Sequence, residues 1–141
     1  MRFCRYMPII SLILLLSGCG DDGRGLAPVS GTVRYKGKPL ANAYITFVPD
    51  EDAVRSASAT TDQNGHYRLT TFDANDGARI GKHRVSVRAE EQPEGPPLAA
   101  DDINRKRGKL LTPVEYTNVE TSGLTAEVAK KNNVIDFNLK D

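Results

Sequence analysis

From Val29 to Leu139 apolar side chains recur at every second position, in short runs cut by turn-forming residues. That period belongs to a strand with one face buried, and it does not suit an amphipathic helix over the same runs. Val29, Gly31, Val33 and Tyr35 make the first such face, and Ala43, Ile45 and Phe47 the second. Small residues fill a third run, Ser56 to Thr61, where another sheet or a loop approaches closely. Tyr67, Leu69 and Thr71 form the fourth face, and His83, Val85, Val87 and Ala89 the fifth. Leu124, Ala126 and Val128 then precede Ile135, Phe137 and Leu139. The turns between them have distinct physical causes. Gly37 supplies a positive φ and Pro39 stops the first strand, while Pro49 and the acidic Asp50-Glu51-Asp52 end the second. Asp62-Gln63-Asn64-Gly65 reads as a hairpin turn, and Asp73 to Gly77 as another turn. Strands that each have one apolar face to bury predict an all-β, seven-stranded antiparallel β-sandwich, with an open barrel as the alternative.

The rhythm fails between Glu91 and Pro113, a stretch long enough to ask for a function, a local helix or disorder. Inside it, residues 97–108 carry an early proline, acids before bases and a closing Gly108. That order fits a short helix after the fifth strand.

Ahead of the alternating region lies a leader. Arg2 and Arg5 precede the apolar run Met7 to Leu16, which is too short to cross a bilayer of about 30 Å as a helix. Leu16-Ser17-Gly18-Cys19 follows at its end and resembles a bacterial lipobox. The resemblance implies a lipoprotein signal peptide over 1–18, diacylglycerol on the Cys19 thiol, cleavage before Cys19 and acylation of the new amino terminus. Two or three acyl chains, at about 0.8 kcal/mol per buried CH₂, anchor stably where a single chain does not. Residues 19–28 are then a flexible, glycine-rich tether and 29–141 the domain. The expected location is exported and lipid-anchored to a bacterial cell membrane, with inner and outer membrane both open.

Composition agrees with this partition. The cysteines are Cys4 in the leader and Cys19 at its end, so no disulfide is expected inside the domain and packing must stabilise it. About 120 residues remain after cleavage, enough for one core. Losing Arg2 and Arg5 takes the formal charge from +1 to −1. A near-neutral exported domain without an aromatic platform excludes nucleic acid as a partner.

Several segments together resemble the carboxypeptidase regulatory-like domain, whose fold is the transthyretin-like (prealbumin-like) sandwich. They are Val29-Ser30-Gly31-Thr32-Val33 with Gly37-Lys38-Pro39-Leu40, Ala43 to Phe47, Thr61 to Leu69, and Ile80 to Val87. The tail from Tyr116-Thr117-Asn118 through Leu124 to Asp136-Phe137-Asn138-Leu139 is similar to an envelope-lipoprotein branch of that family. Transthyretin itself has a short helix after its fifth strand, in keeping with the pattern at 97–108. The family likeness implies an accessory, non-catalytic module. Hydroxyisourate hydrolases of the same fold need a C-terminal Tyr-Arg-Gly-Ser, whereas this chain reads Asn138-Leu139-Lys140-Asp141.

Candidate site residues are few. No Cys–His pair survives processing, and neither a Gly-x-Ser-x-Gly elbow nor a phosphate-binding glycine loop occurs. No enzyme activity, cofactor or metal site is expected. His66 follows a turn glycine and should face solvent, and His83 reads as a strand-edge residue. Arg105, Lys106, Arg107 and Lys109 form a basic cluster suited to a ligand, a partner or anionic headgroups, at about 1 kcal/mol per basic residue. Tyr44, Tyr67 and Tyr116 are candidates for stacking on a sugar. The expected role is an interaction or scaffold module for an envelope protein, working through a sheet edge or the 91–113 loop. The alternative is a module that binds a carbohydrate or other surface polymer.

Overall fold

The alternating residues that open at Val29 become the middle strand of a sheet. The computed structural model describes residues 23–51, 55–91 and 108–141. In chain order its strands are β1 (Leu26–Ala27), β2 (Val29–Tyr35), β3 (Lys38–Pro39), β4 (Tyr44–Pro49), β5 (Ala57–Thr60) and β6 (His66–Arg68). They continue with β7 (Ala78–Arg79), β8 (Gly81–Arg88), β9 (Leu124–Val128), β10 (Asn133–Val134) and β11 (Phe137–Leu139). A 3₁₀ turn over Val114–Thr117 precedes β9, and no α-helix occurs among the described residues. The helix expected over 97–108 falls almost wholly outside them, as do the leader, Leu16, Ser17, Gly18 and Cys19.

One sheet runs β5-β4-β8-β9 with every pair antiparallel. In the second, β2 carries β6 and β3 on one side and β10 and β11 on the other. β1 pairs with β7 in a small third sheet. The inward faces meet in one cluster of buried apolar residues, as the alternation required. Phe47 of β4 lies at its centre. Its ring centroid is 5.9 Å from Phe137 of β11 and 6.3 Å from Tyr67 of β6, so aromatic contacts join the two sheets. The molecule is all-β, with its sheets stacked as a sandwich.

Four features depart from the sequence reading. The sandwich is not wholly antiparallel, because β10 and β11 both run parallel to β2. The cause is the route of the chain. After Val128, paired with Gly81, it crosses to the other sheet at the end where β2 begins, and Asn133 pairs with Val29. Next, Asp62-Gln63-Asn64-Gly65 does not close a continuous hairpin. Backbone bonds join Asp62 to His66 and Ser58 to Thr70, but between them β5 stays with β4 while β6 moves to β2. His83 is a core residue rather than an edge one. It is 1% exposed with its ring 5.7 Å from Phe47, and its Nε2 lies 2.7 Å from the Arg79 carbonyl. Finally, part of the segment read as tether joins the fold. Leu26 and Ala27 pair with Arg79 and Ala78, and the Gly25 carbonyl accepts from Ile80 N–H.

These pairings give the sandwich two distinct ends. Residues 24–29, Pro49 and Ala57, the 71–83 region and the 129–133 loop meet at the end where Arg24 enters the fold. The 36–43 turn, Gly65, Glu91 with Lys109, and Leu139 lie at the opposite end. Gly108 and Lys109 therefore lie at the end away from Arg24.

Candidate functional site

The opened hairpin leaves a space that sequence reasoning did not anticipate. Where β6 turns away from β5, a groove of about 710 Å³ runs over the outer side of the sheet built on β2. Its chemistry comes from the outward positions of two strands: Ser30 and Thr32 of β2, and His66 and Arg68 of β6. Asp62 and Asp136 close it from the flanking turns. A second hollow of about 410 Å³ continues past Ser30, Arg68, Asn75 and Val134 toward Asn133. Val134 is 76% exposed, so an apolar side chain stands at the junction of the two.

The two carboxylates of the groove are held in place by backbone. Asp62 Oδ1 accepts from the N–H groups of Asn64 and His66 at 2.8 and 2.9 Å. The His66 N–H, then that of Asn64, lowers the carboxyl below its ordinary range, and the imidazole 3.6 Å away adds to this. Asp136 Oδ1 accepts from both the backbone N–H and the hydroxyl of Thr32, at 2.7 and 2.8 Å. It thereby replaces a main-chain partner in the parallel ladder between β10 and β11. The adjacent Ile135 carbonyl takes the Tyr67 hydroxyl at 2.6 Å. Burial, with the Asp136 charge second, raises that hydroxyl well above the ordinary phenol range. Tyr67 is thus a neutral donor that fixes the groove floor. Gly31 is a further part of the device, since only a residue without a β-carbon lets Ile135 approach so closely.

The residues expected from sequence are scattered. His66 faces solvent in the groove, as read, while His83 sits in the core with no hydrogen-bond partner at Nδ1. Lys109 is exposed at the end away from Arg24, and Arg105, Lys106 and Arg107 lie outside the described residues. The three tyrosines do not form a shared platform. Tyr67 is 3% exposed, Tyr116 packs partly buried with its hydroxyl 3.2 Å from Lys140 N–H, and the half-exposed Tyr44 belongs to the other sheet. Among the described residues no group of three or more His, Cys, Asp and Glu is placed to hold a metal ion. No helix there is long and apolar enough to cross a membrane.

The class defined by these features is an all-β sandwich with an open polar groove on one face. No family model matches the chain, and no curated protein does. Among solved structures, a 9R-lipoxygenase from Cyanothece PCC8801 matches at 14% identity and a TM-score of 0.40. That match covers 83% of this chain but only 16% of the lipoxygenase chain.

Proposed function

We propose that this chain is a lipid-anchored, non-catalytic sandwich of the carboxypeptidase regulatory-like, transthyretin-like class. It serves as an interaction module in a bacterial cell envelope, and its binding surface is the groove along β2 and β6. The observation that carries the reading is the opened hairpin, which exposes outward donors and acceptors at Ser30, Thr32, His66 and Arg68. The carboxylates beside them are committed to backbone N–H groups, which suits a rigid recognition surface more than acid–base chemistry. A groove of alternating polar side chains with an apolar rim fits an extended polypeptide, which presents main-chain donors and acceptors at strand spacing.

The test is crosslinking in cells with a photoreactive residue placed at His66, Arg68 or, as a control on the other sheet, Tyr44. Repeated capture of one segment of one envelope protein through positions 66 and 68 is expected. Capture through position 44 alone, or none where a known envelope complex is caught, would reject the groove as the binding surface.

A further inference from the structure

The end of the sandwich where Arg24 enters the fold carries a half-exposed aromatic ring. Phe72 is 51% exposed, and the guanidinium carbons of Arg24 and Arg55 each lie 5.5 Å from its ring centroid. The turn that holds it is rigid. The Asp76 carboxylate accepts the N–H groups of Thr71, Phe72 and Asp73 at 2.7, 2.9 and 2.8 Å, and Asn75 N–H donates to Thr70 Oγ1 at 3.0 Å. Arg24 also pairs with Asp73 at 2.6 Å, which fastens the incoming chain to this same turn. The Lys130-Lys131 loop opens at the same end, with both lysines exposed. Acids are present too: Asp50, Glu51 and Asp73 keep the end from being strongly basic.

Chain length supplies the second observation. Arg24 is five residues after Cys19. At no more than about 3.6 Å per residue, even a fully extended tether holds Arg24 within about 18 Å of the acylated residue. An exposed ring flanked by arginines is the chemistry found at the headgroup level of membranes, where the ring enters the interface and the guanidinium groups meet phosphates. The geometry points to a seat: Phe72, with Arg24 and Arg55, rests in the phospholipid headgroup layer of the membrane that holds Cys19. The end at Arg24 faces the lipid, and the opposite end, with Glu91 and Lys109, faces away. This inference rests on the lipidation of Cys19 proposed above.

The chain contains no tryptophan, so Phe72→Trp makes a single reporter. The mature, lipidated Phe72→Trp protein is reconstituted into phosphatidylcholine–phosphatidylglycerol vesicles that carry a quencher at the headgroup or deep in the acyl chains. Blue-shifted emission and quenching from the headgroup position are expected. The Tyr44→Trp protein, with its reporter near the other end, should show neither. Replacing both Arg24 and Arg55 by Gln should weaken the quenching at position 72 while the protein still floats with the vesicles. Unquenched, unshifted emission at position 72 from protein that floats overturns the seat and leaves the anchor intact. Protein that does not float overturns the anchor, and the seat with it.

Discussion

The carbonyl oxygen of Ile135 lies 1.8 Å from the point a β-carbon would occupy on Gly31. The obstacle is backbone, so an added methyl cannot be avoided by a side-chain rotation. Gly31→Ala must push the last strand away from β2 and break the Ile135 N–H bond to the Ser30 carbonyl. A loss of about 3 kcal/mol or more is expected in urea unfolding. A loss below about 1 kcal/mol would mean that β10 and β11 shift along β2 at little cost.

Tyr67 supplies the hydroxyl that satisfies the same carbonyl, from a ring that is 3% exposed. Tyr67→Phe keeps the packing against Phe47 and leaves the Ile135 oxygen without that donor. The variant should fold and lose about 1–3 kcal/mol. Its crosslinking through the groove should fall as well, because the floor is no longer fixed. Unchanged stability would show that water replaces the hydroxyl.

Asp76 makes stability depend on pH. Burial opposes its charge, but the N–H groups of Asp73, Thr71 and Phe72, helped by Arg24, outweigh burial and lower its carboxyl below the ordinary range. A group with a depressed folded-state pKa contributes fully above its unfolded value, about 3.9, and its contribution is lost as pH falls through the folded value. Asp76→Ala should therefore cost about 1–2 kcal/mol at neutral pH. The gap to the unsubstituted protein should close below about pH 4. A gap that persists undiminished in acid would assign the effect to packing of the turn instead.

Cys19→Ala tests the anchor directly. The variant should remain an uncleaved precursor with no incorporated acyl chain, read by mass spectrometry of the amino-terminal peptide. Normal processing and membrane retention would sink the lipobox reading.

Much of the fold was legible because alternation reports which side of a strand is buried. Val33, Ile45, Phe47, Leu69, Val85 and Leu139 all lie inward as their spacing required. The same signal held the answer for His83. It shares the inward face of Val85 and Val87, yet its polar character argued for an edge. Strand direction was not legible, since a period of two is the same for parallel and antiparallel neighbours. The groove was hidden for a related reason. Asp62 and Gly65 specify a tight turn, as the sequence suggested, but the parting of β5 and β6 depends on which sheet each strand joins. Asp136 carried no local signal at all, because its partner Thr32 lies 104 residues away.

That distance also governs when the domain can form. Among the described strands β2 comes early, and β10 and β11, which cover its other edge, come after the rest. One edge of β2 stays uncovered until β10 and β11 have been made, so contacts of high sequence separation limit how early the native state is reached. On the proposed export route this order has a consequence: a chain that crosses a membrane amino-terminal side first brings β2 over early, and the sheet around it closes only after β11 has followed.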